Sequence, residues 1–210
     1  MVSVIVVTFN SEDSVVPCLK ALTAEIESVA GEIILFDNNS IDATIRTVQS
    51  QFPGVHVLES DRNIGFAAAN NAASVTAGGK FLLFANPDMI IDRGALRRLL
   101  EVIQSRTDAG AVCARMRNPD GSFQATARRF PTMRNIFLSR GSMLEAGIKP
   151  ILPAESYTLD DYSETTEVPA ASATCLMTEK EFFRSLNGFD ERFFLFMEDT
   201  DLCLRVRQAG

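Results

Sequence analysis

Four short polar segments carry the carboxylates and amides with which this chain could do chemistry. Each one directly follows a stretch that predicts a buried strand. The segments are Thr8-Phe9-Asn10, Asp37-Asn38-Asn39-Ser40, Arg62-Asn63-Ile64-Gly65 and Asn86-Pro87-Asp88. Carboxylate and amide oxygens accept hydrogen bonds from nucleobases and riboses, and they also coordinate hard divalent cations. The sequence therefore favours a binding site for a polar ligand or a metal ion.

Carboxylates are expected to carry any acid–base chemistry, because the chain has a single histidine, His56, in an apparent strand. A third acidic group, Glu198-Asp199, follows an aromatic-rich stretch at 193–197, with Phe189 shortly before it. A carboxylate against such a wall would be partly desolvated, which suits it to act as a general base. The same acids would also favour the N-terminal end of a helix dipole, so a structural role stays open.

Asp88 and Asp37 also have structural interpretations. Asn86-Pro87-Asp88 is ordinary turn chemistry, and the same tripeptide recurs at 118–120, where Gly121 completes a turn. Asp37 opens the sequence DNNS, in which Ser40 predicts the cap of a following helix. Asp37 itself is not needed for that cap. Its position at a strand end leaves it available to a ligand.

The apolar patterns predict which elements bring these segments together. Strands are predicted at 2–8, 32–37, 55–60, 80–86 and 109–114. Four helices are predicted between these strands. The first follows a cap at Asn10 or Ser11 and turns Val15, Leu19, Leu22 and Ile26 inward, and the second starts at Ile41, with Ile45, Val48 and Phe52 on the same face. The other two are predicted at 65–77 and 93–106. This alternation predicts crossover connections and a mostly parallel sheet. Because ligands bind outside the carboxyl ends of such strands, the four polar segments should face one crevice.

The second half of the chain has a different pattern. Residues 118–121 predict the turn of a hairpin, 131–145 a short helix, and 150–169 a long acidic surface loop. A strand is then predicted at 168–178, a short helix from Glu179 and a last helix from about Glu198.

Composition and spacing exclude several function classes. Twenty basic and 27 acidic residues give a formal net charge of −7, which argues against nucleic acid as a partner. The four cysteines show no CxxC spacing and are interpreted as buried, reduced thiols of a cytosolic protein. No apolar run approaches eighteen residues, so no transmembrane helix is predicted. A dinucleotide-dependent oxidoreductase would need a G-x-G-x-x-G loop, which does not occur.

Six segments, in order along the chain, resemble the family 2 glycosyltransferases with the GT-A fold, in their rhamnosyltransferase-like, O-antigen and cell-wall branch. They are VSVIVVTFN, DNNS, RNIGFAAANN, the NPD at 86–88, DGSFQATARRFP and GFDERFFLFMEDTDLCLRVRQAG. The resemblance implies an α/β fold with a Rossmann-like, mostly parallel central sheet flanked by helices, and a smaller mixed acceptor-side half. Residues 1–115 would form the half that binds the nucleotide sugar, and 116–210 the acceptor and catalytic half of the same domain. Family members usually continue past the last helix, so a C-terminal truncation is expected.

The resemblance also implies roles for individual residues. Thr8, Asn10 and Asp37 would contact the nucleoside of a nucleotide sugar. The rest of the nucleotide-sugar site would comprise Asn39, Arg62, Asn63, Gly65, Asn70 and Asn86. Asp88 would hold a divalent metal, Mg²⁺ or Mn²⁺, on the donor diphosphate. Glu198 and Asp199 would be catalytic, with Asp199 as the base. The implied reaction is inverting transfer of a sugar to an acceptor hydroxyl in cell-surface polysaccharide synthesis.

The resemblance extends to partners and location. The acceptor would be a glycan or a lipid-linked acceptor, and the protein would act in the cytoplasm at the inner face of the cytoplasmic membrane. Peripheral membrane association and a homodimer are further expectations. The alternative function is a catalytically inactive nucleotide-sugar-binding or scaffold domain. A nucleotidyltransferase that makes sugar nucleotides fits less well, because the loop after the first strand, NSEDS, lacks glycine and lysine.

Overall fold

The computed structural model describes residues 1–130 and 164–210. By its contacts the chain divides into two units, one made of Met1–Ala114 and Ser172–Gly210, the other of Arg115–Ala171. Residues 172–210 are thus grouped with the first part of the chain, while the functional division at 115 stays a prediction. The helix predicted within 131–145 and most of the loop predicted at 150–169 lie outside the described residues.

Ten strands and six helices are described. The strands are β1 (Val2–Thr8), β2 (Gly31–Asp37), β3 (His56–Glu59), β4 (Phe81–Ala85), β5 (Ala111–Cys113), β6 (Met116–Arg117), β7 (Phe123–Gln124), β8 (Ala127–Arg128), β9 (Ala170–Ala171) and β10 (Cys175–Glu179). The helices are α1 (Val15–Ile26), α2 (Thr44–Gln51), α3 (Phe66–Thr76), α4 (Ala95–Ser105), α5 (Lys180–Ser185) and α6 (Glu198–Gln208).

A six-stranded sheet forms the centre of the first unit, in the order β3-β2-β1-β4-β10-β5. Strand β1 pairs in parallel with β2 and β4, and β2 pairs in parallel with β3. Strand β10 runs antiparallel between β4 and β5. The mostly parallel sheet predicted from the sequence is confirmed. The prediction of a single strand at 168–178 is wrong, because this stretch is divided between β9 and β10. The Ser172 hydroxyl bonds to the backbone N–H and the hydroxyl of Thr174, and the chain turns there.

Helix starts differ from the predicted ones for local reasons. Helix α1 begins at Val15, and its N-cap Ser14 makes no side-chain capping bond, so the cap predicted at Asn10 or Ser11 is wrong. Helix α2 begins at Thr44, and Ile41, predicted to share a helix face with Val48, is 88% exposed whereas Val48 is buried. The Ser40 hydroxyl donates to the Asp37 carboxylate instead of capping α2. The inward-facing residues predicted for α1 are all buried.

Helix α4 is capped by a carboxylate from another helix. Glu25 of α1 is 5% exposed, and its two oxygens accept hydrogen bonds from Gly94 N at 2.8 Å and Leu96 N at 3.2 Å. The first turn of a helix has unsatisfied N–H groups and a partial positive charge, and both favour this arrangement. Glu25 therefore fixes α1 against α4.

The second unit contains two short antiparallel pairs, β6 with β7 and β8 with β9. The turn predicted at 118–121 joins β6 to β7, where Gly121 N donates to Asn118 O at 2.9 Å. Gly121 adopts a φ of 84°, which favours glycine. Asp120 accepts hydrogen bonds from the backbone and the hydroxyl of Ser122.

The cysteines are free thiols, and Cys18, Cys175 and Cys203 are buried. Burial, assisted by the negative charge of Asp88, raises the pKa of Cys18 to about 12, and burial raises the pKa of Cys175 to about 12 as well. In the part of the chain that the structure describes, no helix is both long enough and apolar enough to cross a bilayer.

These raised pKa values predict slow thiol chemistry in the folded protein. Because only the thiolate reacts, Cys18 and Cys175 should resist a thiol-reactive chromophore near pH 8 and react quickly in concentrated guanidinium chloride. The unfolded thiols ionise near pH 8.5, so the stability contributed by these two groups is present below that pH and is lost as pH rises towards about 12. Rapid labelling of native Cys18, located by mass spectrometry, would contradict this assignment.

Candidate active site

Thr8, Asp37 and Ser40 form a hydrogen-bonded cluster at the ends of β1 and β2. Thr8 and Asp37 are directly paired in the sheet register. Asp37 is 2% exposed and accepts from the Thr8 hydroxyl at 2.8 Å, from Ser40 N at 2.7 Å and from the Ser40 hydroxyl at 2.6 Å. A carboxylate offers about four acceptor positions, so about one remains for a ligand. The cluster thus holds Asp37 rigidly at the sheet edge.

Asn10 and Asn39 shape the loops around this cluster. Both adopt left-handed backbone conformations, with φ of 50° and 68°, which asparagine tolerates better than most residues. Asn10 N donates to the Ser40 hydroxyl at 2.8 Å, and Asn10 Oδ1 accepts from Ile41 N at 2.9 Å. Both residues are exposed at the strand ends.

The connection from β3 to α3 is tied to the same edge by Asn38. Its side chain donates to Gly65 O at 3.1 Å and accepts from Ile64 N at 3.2 Å. Asn63 Oδ1 accepts from Gly65 N at 2.9 Å and closes the turn. Asn38 was predicted only as part of the polar segment at 37–40, and its place next to Asp37 was the signal for a role of its own. Arg62 is exposed, and its guanidinium makes no hydrogen bond or ion pair within residues 1–130 and 164–210.

Gly65 lets another backbone approach the start of α3. Its φ of 86° and ψ of 173° are a combination that only glycine adopts readily. A Cβ at Gly65 would lie 2.5 Å from Phe194 O, and Phe66 N donates to that carbonyl at 2.8 Å. Asn70 is 1% exposed and donates to Phe66 O at 2.9 Å. Gly65 and Asn70 therefore have packing roles, and their contact with a nucleotide sugar stays a prediction.

Asn86-Pro87-Asp88 is a turn at the end of β4. Met89 N donates to Asn86 O at 3.3 Å, and α4 begins only at Ala95. Asn86 is joined to the approach to β10, because its N–H donates to Thr174 O at 3.0 Å. Asp88 is exposed, and its carboxylate has no hydrogen-bond or ion-pair partner among the described residues.

An open carboxylate at this position fits a divalent cation, which prefers oxygen ligands. Among the described residues no group of three or more His, Cys, Asp or Glu could hold a metal ion. Asp88 could therefore supply one ligand, with the remaining oxygens coming from a bound ligand or water.

Glu198 and Asp199 begin α6 and are both buried, at 5% and 7% exposure. Asp199 Oδ1 accepts from Thr200 N at 2.6 Å and from the Thr200 hydroxyl at 3.2 Å. The two acids thus lie in the first turn of a helix, as predicted by the interpretation that they favour the helix dipole. They are also removed from water.

The prediction that an apolar, aromatic-rich wall precedes these acids is wrong for most of the side chains concerned. Phe194, Leu195, Phe196 and Met197 are 57%, 53%, 74% and 39% exposed. Phe196 and Met197 have φ of 68° and 74°, so the chain turns sharply just before α6 and these side chains point outward. Only Phe189 is buried, with its ring 4.9 Å from Phe84 and 5.3 Å from Phe183.

Comparison with known proteins identifies the family. The pattern that defines glycosyl transferase family 2 matches residues 3–186. The chain belongs to this family. The chain is 30% identical over 223 residues to the N-acetylglucosaminyl-diphospho-decaprenol L-rhamnosyltransferase of Mycobacterium tuberculosis (strain H37Rv), covering 99% of this chain and 70% of that protein. It is 29% identical over 219 residues to rhamnosyltransferase WbbL of Escherichia coli (strain K12), covering 100% of this chain and 78% of that protein.

The fold of this glycosyltransferase is also found in solved structures. The crystal structure of GalNAc-T7 with UDP, GalNAc and Mn²⁺ matches with a TM-score of 0.70 at 16% identity. The match covers 100% of this chain and 41% of that chain, so our chain spans less than half of it. The predicted GT-A fold and the rhamnosyltransferase-like resemblance are confirmed. The roles of individual site residues stay predictions.

Gly65 provides a test of the site's geometry. Gly65→Ala places a side chain in a backbone conformation that costs about 1–3 kcal/mol and sets its Cβ against the Phe194 carbonyl. We expect a lower midpoint in urea unfolding. Gly54→Ala is the matched control, because a Cβ there meets nothing within 4 Å. Equal midpoints for the two variants would show that Phe194 does not pack on Gly65.

Proposed function

We propose that this glycosyltransferase moves a sugar from a nucleotide-diphosphate sugar to an acceptor hydroxyl, with inversion at the anomeric carbon, in cell-surface polysaccharide synthesis. The observation that carries the proposal is the row of polar residues at the carboxyl ends of β1, β2 and β4, with the Asp37 cluster at its centre. The names of the two rhamnosyltransferase relatives support it. So does the presence of UDP and GalNAc in the GalNAc-T7 crystal structure.

The nucleoside is proposed to bind at the ends of β1 and β2. Asp37 has about one free acceptor position, which suits a ribose hydroxyl or a base N–H. The exposed amides of Asn10 and Asn39 lie on the loops beside it. Arg62, with its exposed guanidinium, is the cation that we expect to meet the diphosphate in a chain whose net charge is −7.

A divalent metal is proposed to sit at Asp88. A bound cation would neutralise negative charge on the departing nucleoside diphosphate. Asp88 would contribute one carboxylate, and donor phosphate oxygens and water would supply the other ligands, as is common for Mg²⁺ at nucleotide sites. The ion is proposed to be Mg²⁺ or Mn²⁺, and the choice between them depends on the ligands other than Asp88.

Asp199 is proposed to accept the proton of the attacking hydroxyl. Both Thr200 hydrogen bonds end on Oδ1, so Oδ2 is the oxygen left to take the proton. The acceptor oxygen then bonds to the anomeric carbon, the bond from that carbon to the diphosphate breaks, and the proton moves to Asp199. Glu198, buried beside it, is proposed to orient the sugar or the acceptor.

The acceptor is proposed to be lipid-linked, because the name of the Mycobacterium tuberculosis relative contains N-acetylglucosaminyl-diphospho-decaprenol. The exposed apolar side chains at 194–197 lie immediately before the catalytic pair and offer a surface for the lipid part. Peripheral association with the inner face of the cytoplasmic membrane follows from such an acceptor, whereas a homodimer stays a separate proposal.

The two Asn-Pro-Asp tripeptides supply a matched pair for the metal proposal. Asp88→Ala should lower the Mn²⁺-dependent affinity for a nucleoside diphosphate by at least about tenfold, because it removes a charged metal ligand. Asp120→Ala should leave that affinity unchanged, because Asp120 is bonded to Ser122 in the second unit. Calorimetric titration with and without Mn²⁺ measures both, and equal affinities for the two variants would rule out the metal role of Asp88.

The base is tested by Asp199→Asn, which keeps the size of the side chain and removes its basicity. We expect sugar transfer to fall by about 10²–10⁴-fold, the usual contribution of a general base, while nucleotide affinity is retained. Transfer at a rate near wild type would show that Asp199 is not the base. Absence of transfer by the wild-type chain, with intact nucleotide-sugar binding, would favour the inactive binding domain instead.

A further inference from the structure

Helix α3 holds the segment that leads into the catalytic pair at two separate places. At its first residue, Phe66 N donates to Phe194 O at 2.8 Å. Five residues further along the helix, Asn71 bonds to the backbone of Phe189. The start of α3 lies at the proposed donor edge, through Gly65 and Asn38. The helix therefore spans from the donor residues to the segment that ends at Glu198 and Asp199.

Asn71 pairs with both backbone groups of Phe189. Its Nδ2 donates to Phe189 O at 2.8 Å, and its Oδ1 accepts from Phe189 N at 2.9 Å. The same Nδ2 donates to Glu191 Oε1 at 3.0 Å. At neutral pH a side-chain amide supplies both the donor and the acceptor that this pairing needs, whereas an ionised carboxylate only accepts. Gly188 has a φ of 68°, and a Cβ there would collide with Asn71 Oδ1, so the sequence Asn187-Gly188 makes room for the amide.

The same loop is bonded to α6, the helix that begins with the catalytic pair. Arg205 Nη1 donates to Leu186 O at 2.6 Å and to Gly188 O at 2.8 Å, and Arg205 Nε donates to Asp201 Oδ2 at 2.7 Å. A continuous set of bonds thus runs from Asn71 on α3, through the backbone of 188–189, to Arg205 and Asp201 on α6.

One side of this loop borders an open surface pocket of about 350 Å³. The residues that line it include Asn71, Asn187, Glu191 and Arg205. The Phe189 ring is fixed in the core, but a ring can stay in place while its peptide rotates. The direction in which the chain leaves Phe189 therefore depends on the polar bonds of Asn71 and Arg205, and the bond from Phe66 N holds the same segment again at Phe194.

We propose that Asn71 is a positioning residue for Asp199. Through the backbone of 188–189 and Arg205, it fixes the start of α6 relative to the start of α3, and hence the base relative to the donor. The inference rests on the proposed function, because it takes Asp199 as the base. Asn71 itself touches neither substrate nor metal in this account.

The first test is the kinetics of Asn71→Ala. Misplacement of a base by about 1 Å can cost about 10²-fold in rate, so we expect kcat to fall by about 10–10²-fold. The affinity for the nucleotide sugar should stay within about twofold, because the donor cluster at β1 and β2 is untouched. A kcat equal to that of wild type would overturn the proposal.

Glu25→Ala is the matched control for loss of stability. It also removes two long-range hydrogen bonds, those to Gly94 N and Leu96 N, and Glu25 has no part in the proposed site. We expect it to lower the melting temperature and to leave kcat unchanged at temperatures where the protein is folded. If kcat falls as much in Glu25→Ala as in Asn71→Ala, the role of Asn71 is only structural and the proposal fails.

Asn71→Asp adds a pH readout that a purely structural role would not give. The carboxylate can still accept from Phe189 N but faces the Phe189 carbonyl and the Glu191 carboxylate, so its activity should be low at neutral pH. Protonation restores a donor, so the ratio of its kcat to that of wild type should rise as pH falls from about 7 to about 5. A ratio that does not change with pH would contradict the proposed pairing.

An activity-independent measurement separates this inference from the proposed function. If wild type transfers no sugar, the proposed function fails, and hydrogen exchange still decides whether Asn71 positions the loop. Asn71→Ala should speed amide exchange at 189–199 and leave β1 and β2 protected. Unchanged exchange at 189–199 would overturn the inference.

Discussion

The hydrogen bond from Phe66 N to Phe194 O is the contact on which the site depends. It joins the first turn of α3, at the proposed donor edge, to the segment that carries the proposed catalytic pair, although 128 residues separate the two in the chain. A helix start has free N–H groups and a partial positive charge, so a backbone carbonyl is a favourable partner. The approach is possible only because Gly65 has no side chain. A glycine at the start of a helix thus admits the segment that leads to the proposed base, which is far away in sequence.

Around this contact, the site is built from backbone groups held by short polar side chains. Asp37, Asn38, Asn63 and Asn71 each fix a neighbouring main chain, and Asp37 and Asn38 are almost fully buried. Buried hydrogen bonds of this kind lose little to water, and leaving them unmade is costly. The edge of the sheet is therefore preorganised, whereas Asp88 and Arg62 are exposed, as expected of groups that meet a charged ligand.

The sequence predicted the sheet because buried parallel strands have a continuous apolar pattern, and the strands at 2–8 and 32–37 have such a pattern. It also distinguished the two Asn-Pro-Asp turns, since only one follows a central strand. Contacts between distant residues were missed. Glu25 caps α4 from 69 residues away, and Asn71 bonds to Phe189 from 118 residues away. No local periodicity encodes such bonds. The outward turn at Phe196 and Met197 was missed because left-handed backbone at an apolar residue has no sequence signal.

The most direct test of this account is a crystal structure of the protein with a nucleoside diphosphate and Mn²⁺, with the metal located by its anomalous scattering. We expect a manganese peak within direct coordination distance of the Asp88 carboxylate, bridged to the diphosphate, and the nucleoside beside Asp37 at the ends of β1 and β2. The Asp199 carboxylate should face the position of the transferred sugar. A metal bound away from Asp88, or a nucleotide bound away from these strand ends, would contradict it.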